Sequence, residues 1–284
     1  MHYNMSHQTT LAKSIAYTGI GLHSGKEVSI TMNPAPADSG IIFVRVDLPG
    51  APQVTACTAN VTAAMRATTL ECGLAKVFTV EHLLAALRAM GVDNCLIEIN
   101  SAEPPVADGS ALPFVKLIES AGIAEQVARR HVVQVTEALA VRHGDKFITI
   151  LPYDGLRITF TSVNPHPLLG VQFGDYEITP ELFTQEIAPA RTIGFMHEIE
   201  ALQAQGLALG GSLDNAIVYD DTSVLTPLRF NDELVRHKIL DVIGDIALAG
   251  FVHGHIIAVK SGHALNTELA GKITSQVTTA KGAE

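Results

Sequence analysis

Tryptophan is absent from the 284 residues, and aromatics make up only 5% of them. The core must therefore be aliphatic rather than built on stacked rings. Cysteine is scarce: Cys57, Cys72 and Cys95 are an odd, scattered set with no Cys-x-x-Cys pair. That excludes a thiolate metal site and a disulfide framework, and it fits a reducing compartment. Basic residues are outnumbered, 19 Lys and Arg against 29 Asp and Glu, for a net charge of −10. A general nucleic-acid binder would carry a basic face, so that class is set aside. A local basic pocket for a small anion stays open. No run approaches the roughly 18 uninterrupted apolar residues of a membrane span. The most apolar region, residues 239–259, is broken by Asp241, Asp245, His253 and His255. The first 14 residues are polar and lack the apolar run of a secretory leader. The expectation is a cytoplasmic monomer with no integral membrane segment and no nucleic-acid partner. Apolar residues reach 47%, ample for one large domain or two ordinary ones.

The stretch Leu234-Val-Arg-His-Lys-Ile-Leu-Asp-Val-Ile-Gly-Asp245 reads as one helix. His237 and Asp241 are four apart and lie one above the other, with Asp245 four further along the same stripe. Leu234, Ile239, Leu240, Val242, Ile243 and Ile246 supply apolar surface beside them. Ionisable groups on an apolar helix are costly to bury without a partner. A metal would be such a partner, because His and carboxylate at i, i+4 suit zinc. The plainer alternative is a His–Asp hydrogen bond and a solvated salt bridge at the edge of a core helix.

The chain contains an internal echo. His23-Ser-Gly-Lys-Glu-Val-Ser-Ile-Thr-Met-Asn-Pro34 is answered by His143-Gly-Asp-Lys-Phe-Ile-Thr-Ile-Leu-Pro152, and Gly40-Ile-Ile-Phe-Val-Arg45 by Gly155-Leu-Arg-Ile-Thr-Phe160. Residues 79–91 predict a helix with Thr79 as N-cap and Gly91 just past its end. A strand at 94–100 and a helix at 112–121 follow it. The helix bearing His237 is likewise followed by a strand at 255–260 and a helix opening at Gly262. His82 to Gly109 spans 27 positions and His237 to Gly262 spans 25. The reading is α+β: two duplicated domains, 1–126 and 127–284, with the boundary in the polar segment 123–131. Each is a small, mainly antiparallel sheet with two helices, and the helices are sandwiched between the two sheets. Packed through their helices, the copies would bring His82, His237 and Asp241 together. Two His, one carboxylate and an open fourth position are the ligand set of a catalytic zinc site. The second copy carries an insert at about 193–220, partly apolar, that suggests a grip for an apolar portion of a substrate.

Several motifs resemble a known family. Thr79-Val-Glu-His82, His237-Lys-Ile-Leu-Asp-Val-Ile-Gly-Asp245, Lys260-Ser-Gly-His-Ala-Leu-Asn266 and Gly19-Ile-Gly-Leu-His-Ser-Gly25 resemble those of the UDP-3-O-acyl-N-acetylglucosamine deacetylases. Asp108-Gly-Ser110, Arg191-Thr192 and Gly210-Gly-Ser212 extend the likeness over essentially the whole chain. The resemblance implies one catalytic Zn2+ per chain on His82, His237 and Asp241, with Glu81 as general base. It implies His263 as a second catalytic residue, oriented and charged by Asp245. It places the hydroxyl that meets the substrate carbonyl on Thr192 and a diphosphate contact on Lys238. The insert resembles the family's acyl passage, which points to Phe195, Met196, Ile199, Gly211, Ser212, Ala216 and Val218 as substrate contacts. The implied partner is a UDP-sugar bearing a fatty-acyl chain, deacetylated in the committed step of lipid A biosynthesis in Gram-negative bacteria. One departure stands out: Ile193 occupies a place where an aromatic would pack on the sugar.

Two rival readings keep part of this picture. Zinc hydrolysis of a different N-acyl sugar or amide is one. A non-catalytic sugar-nucleotide or lipid binder with a structural metal is the other, and Glu81 beside His82 speaks against it, since a structural site needs no adjacent base. Among decoys, His253 and His255 share a strand face but lack a carboxylate partner. His23, in the Gly-rich turn, suits structural hydrogen bonding, and Asp108 suits a turn that supports the interface.

Overall fold

Alternation of buried and exposed residues marks the strands that build two sheets in the computed structural model, which describes residues 6–281. The first part of the chain runs β1 (His7–Leu11), β2 (Ile15–Ile20), β3 (Glu27–Pro34), β4 (Ile41–Arg45), β5 (Gln53–Thr55), β6 (Val61–Ala63), β7 (Thr69–Cys72), β8 (Ala75–Phe78), α1 (Glu81–Ala89), β9 (Cys95–Ile99), α2 (Leu112–Ala121) and β10 (Ile123–Arg129). The second runs β11 (Val132–Gln134), β12 (Leu139–His143), β13 (Lys146–Leu151), β14 (Leu156–Val163), β15 (Val171–Glu177), α3 (Pro180–Leu182), β16 (Ile193–Phe195), α4 (Met196–Ala204), β17 (Ile217–Tyr219), α5 (Glu233–Ile246), β18 (Phe251–Val259) and α6 (His263–Lys281). A π-helical turn, Phe183–Ile187, continues α3. This is the α+β fold expected.

The two main sheets share one plan. The first has the order β2-β3-β9-β4-β5, and the second has β12-β13-β18-β14-β15. In each, the strand that follows the His-bearing helix enters the middle, antiparallel to one neighbour and parallel to the other. Each sheet is therefore mixed rather than purely antiparallel. Val28, Ile30, Met32, Ile97 and Ile99 of the first sheet point inward, as do Ile148, Ile150, Phe160 and Ile256 of the second. Between them lie α1, α2, α5 and α6, and all contribute to one continuous core. Both sides of α5 are covered; among its residues only Arg236 and Lys238 are not buried.

Three local features stand beside the sequence reading. The polar segment placed at the domain boundary forms, over residues 123–129, β10, which pairs antiparallel with β1. Their alternating pattern is that of a ribbon with one exposed face. Second, Thr79 does not cap α1. The cap position is Val80, with no side-chain cap bond, and Thr79 sits at φ 57. That left-handed backbone aims its side chain into the cavity described below rather than at the free N–H groups of α1. Third, the first half also carries added chain, the three-stranded sheet β6-β7-β8 immediately before α1.

The helices α1 and α5 cross at Gly244. A Cβ there would lie 2.0 Å from the carbonyl oxygen of Glu81, so nothing larger than hydrogen fits. Gly244→Ala should therefore destabilise the fold by about 1–3 kcal/mol, as overpacking does. The control is Gly271→Ala in α6, where a Cβ meets nothing within 4 Å. It should be neutral or stabilising by about 0.5–1 kcal/mol. Urea unfolding of both variants checks the contrast.

Candidate active site

The α1–α5 crossing brings Glu81 and His82, in the first turn of α1, against His237, Asp241 and Asp245 on α5. Asp241 Oδ1 lies 3.5 Å from His237 Nε2 and 3.7 Å from His82 Nε2. The two imidazoles meet edge to face at 5.0 Å between centroids. One donor atom from each of the three residues falls within 4.8 Å of the others, and all three are buried.

This donor set fits a metal ion. Asp241 Oδ1 is buried without a hydrogen-bond partner, which in a native site calls for a cation or donor. His237 Nδ1 donates to the Ala190 carbonyl at 3.2 Å, leaving Nε2 as the lone-pair nitrogen that a metal would take. Burial, reinforced by His237, pushes His82 down to about 3, and burial lowers His237 as well. Both imidazoles are thus neutral and able to ligate. Burial by itself would raise Asp241, but Lys238 and the neighbouring histidines hold it well below the usual carboxylate range. Lys238 Nζ donates to its other oxygen at 2.9 Å.

A second pair lies beside the triad. His263 Nδ1 donates to Asp245 Oδ2 at 2.9 Å, and Asp245 is fully buried. Asp245 also accepts from Asn266 Nδ2 at 2.9 Å and from the Thr68 hydroxyl at 2.5 Å. Burial opposes charge on His263, yet Asp245 and Glu81 outweigh it and raise the imidazolium to about 10. His263 Nε2 faces Glu81 Oε1 at 3.9 Å. Glu81 Oε2 accepts the Thr68 backbone N–H at 3.1 Å. Burial lifts the Glu81 carboxyl to about 7 against the pull of His263. The site therefore holds neutral histidines on one side, and a cationic histidine with a carboxyl poised near neutrality on the other. Thr68, which ties Glu81 to Asp245 through its N–H and its hydroxyl, carries no spacing signal in the sequence. Asn266 sits inside a family-like motif, but its role emerges only from the contact with Asp245.

A cavity of about 400 Å³ opens over these groups. Glu81, His82, Thr192, His237, Lys238, Asp241 and His263 line it, and Asp245 supports it from behind. Met196, Ile199, Gly211, Ser212, Ala216 and Val218 of the insert line it too. Phe195 does not. Its ring packs near His166 and Tyr219 at 6.0 Å instead. Ile193, two residues earlier on the same strand, packs against that cluster as well and also lines the cavity.

Thr192 is fixed by the turn that contains Gly109. Its N–H donates to the Gly109 carbonyl at 2.8 Å, and Ile217 N–H donates to the Thr192 carbonyl at 2.8 Å. A Cβ at Gly109 would lie 2.0 Å from the Asn215 carbonyl. Asp108 in that turn accepts from Ser110 and from Arg229 at 2.8 Å, a structural role across the two halves. The Gly-rich turn docks the other end of the insert: Gly210 N–H donates to Leu22 O at 3.0 Å and Leu209 N–H to His23 O at 3.2 Å. His23 Nδ1 accepts from Ala208 N–H at 3.3 Å, and the ring also lines the cavity. Buried Glu103 holds the turn by accepting from the N–H groups of His23 and Ser24. His253 and His255 do not converge on anything metal-like; His255 bonds to Thr159 and His253 faces Asp154.

Sequence reasoning missed Arg66, which lines the cavity from the β6–β7 connection at φ 65. Its Nη1 stands 3.5 Å from Glu198 Oε2 on α4, so the two inserts touch across the cavity. Both side chains are about half exposed, and such pairs contribute only about 0.2–1 kcal/mol. The contact can therefore open readily.

Comparison with known proteins decides the lineage. Residues 8–275 match the family described as UDP-3-O-acyl N-acetylglycosamine deacetylase. The chain belongs to this family. A UDP-3-O-acyl-N-acetylglucosamine deacetylase from Anaeromyxobacter sp. (strain Fw109-5) is 50% identical over 269 residues, 94% of this chain and 88% of the relative. One from Marinobacter nauticus is 45% identical over 277 residues, 96% and 91% of the two chains. One from Oleidesulfovibrio alaskensis is 50% identical over 262 residues, 91% and 86%. In this deacetylase-family chain the triad comes from both halves, so ligand loss and loss of the flanking pair should separate. His82→Ala, His237→Ala and Asp241→Ala should each lose bound zinc on dialysis, whereas His263→Ala should keep it. Metal content by atomic emission checks this; zinc lost from the His263 variant would overturn the division.

Proposed function

We propose that this chain hydrolyses the N-acetyl amide of UDP-3-O-acyl-N-acetylglucosamine, releasing acetate and the UDP-3-O-acyl-glucosamine amine, the committed step of lipid A biosynthesis. One Zn2+ held by His82, His237 and Asp241 serves the reaction. The single observation that carries this reading is the buried triad with its unpartnered Asp241 oxygen, flanked by Glu81 and His263.

An amide is a poor electrophile and water a weak nucleophile. When bound, zinc supplies Lewis-acid polarisation and brings water's pKa toward roughly 7. Glu81, beside a ligand but not itself one, takes the proton from the attacking water as the new C–O bond forms. The Thr192 hydroxyl donates to the oxygen on which negative charge develops. His263, kept cationic by Asp245, gives a proton to the amide nitrogen as the C–N bond breaks. Acetic acid and a neutral amine result; the acid's proton passes to the amine, so that they leave as acetate and an ammonium, and the proton on Glu81 returns His263 to its starting state. Glu81 Oε1 and His263 Nε2 stand 3.9 Å apart, so an approach of about 1 Å brings them to hydrogen-bond distance for that return.

The remaining assignments follow the cavity. Lys238 turns from Asp241 toward the substrate's diphosphate, and its side chain, 31% exposed and lining the cavity, leaves it reachable. Met196, Ile199, Gly211, Ser212, Ala216 and Val218 form the wall along which the acyl chain lies. Ile193 replaces an aromatic against the hexose with a smaller apolar contact. The two repeats, 1–126 and 127–284, meet at the zinc, and the chain works as a cytoplasmic monomer. No helix among the described residues is long and apolar enough to cross a membrane.

Acetate release from UDP-3-O-acyl-N-acetylglucosamine should stop with a chelator and return with added zinc. Failure of the folded, zinc-loaded protein on this substrate, with turnover of another N-acyl sugar in a panel, would replace the substrate and keep the chemistry. Glu81→Ala should retain zinc and lose about 10²–10⁴-fold in kcat, the usual worth of a positioned base. Unchanged turnover would remove Glu81 from the mechanism.

A further inference from the structure

The helices that present the triad also frame a second cavity at their opposite ends. It measures about 130 Å³, the liquid volume of roughly four waters, and is bounded by Arg88, Met90, Leu156, Ile178, Ile246 and Phe251. Its walls are mostly aliphatic. The ionisable groups that face it are Arg88 from α1, Arg130 from the segment after β10, and His253 from β18, with Asp93 behind Arg130.

These groups are unequally satisfied. Arg130 is neutralised by Asp93 at 2.7 Å and also donates to the Gly91 carbonyl at 2.6 Å. His253 turns toward Asp154. Arg88 is different. Its Nε is buried with no hydrogen-bond partner, and its Nη2 reaches the Ala247 carbonyl only at 3.4 Å. Its guanidinium and that of Arg130 both lie against the Phe251 ring, 3.8 and 4.1 Å from the centroid. Burial, only partly offset by Asp93, pushes Arg88 down to about 10, and the nearby Arg130 adds to that. A buried charged donor without an acceptor is costly, and an anion relieves the cost. The aliphatic walls reject a fully polar anion such as phosphate but suit a short alkyl body.

We infer that this cavity is a second binding site, for a short-chain aliphatic monocarboxylate whose carboxylate accepts from Arg88 and whose alkyl part lies against Leu156, Ile178 and Ile246. At this size the ligand has about three or four carbons. The site is separate from the triad and does not depend on the proposed substrate.

Butyrate is the probe. Titrated calorimetrically onto the zinc-loaded protein at constant ionic strength, it should bind saturably at one site, while 1-butanol should not. Arg88→Met, which keeps the bulk and removes the charge, should weaken binding about tenfold or more, the worth of a charge-assisted bond. Leu156→Phe, which fills the cavity and leaves Arg88 in place, should abolish it, and it serves if the Arg88 variant fails to fold. No saturable binding to the parent protein overturns the inference. So does binding that persists in the variants, which would report a carboxylate on the metal instead.

Discussion

Everything at the candidate site depends on how closely α1 and α5 approach. Glycine at 244 lets the backbone of α5 touch the carbonyl of Glu81, a separation no side chain permits. That contact brings the start of α1, with Glu81 and His82, opposite the middle of α5, with His237 and Asp241. Neither helix carries a complete ligand set. The site therefore exists only as long as the two halves stay packed, and the continuous apolar core that spans both sheets keeps them so. That core has no tryptophan; it is mostly aliphatic, with Phe43, Phe114, Phe160 and Phe183 buried in it.

Charge is arranged around the crossing in a way that separates two kinds of histidine. His82 and His237 have only one carboxylate between them, Asp241, and burial keeps them neutral. His263 has Asp245 at hydrogen-bond distance and Glu81 just beyond it, and it stays charged. A neutral imidazole can ligate, and an imidazolium can donate a proton. One residue type thus serves two functions a few ångströms apart, with the difference set by the number and placement of carboxylates.

Much of this was legible in the sequence where the signal is periodic or local. The i, i+4 spacing of His237, Asp241 and Asp245 put them on one stripe of α5, and α2 spans residues 112–121 as read. The echo between residues 23–45 and 143–160 anticipated two sheets of the same strand order. What failed was decided by backbone geometry or by tertiary contact. Thr79 has the composition of a cap, but a left-handed backbone turns it into the cavity. Phe195 was assigned to the cavity by its place in the insert, yet its ring packs with His166 and Tyr219 and only Ile193 of the pair lines the cavity. That residues 123–129 form a strand was hidden in a segment read only as polar, although its alternation is that of a two-stranded ribbon. Thr68 and Arg66 reach the site from the small sheet before α1, and nothing in their spacing relates them to α5.

The most direct test of the central claim, a metal site assembled across the α1–α5 crossing, is X-ray absorption spectroscopy of the zinc-loaded protein. The account predicts two imidazole nitrogens and light oxygen donors at about 2.0–2.2 Å, with no sulfur. A spectrum showing three imidazoles, with His263 drawn onto the metal, or a sulfur at about 2.3 Å, would contradict it.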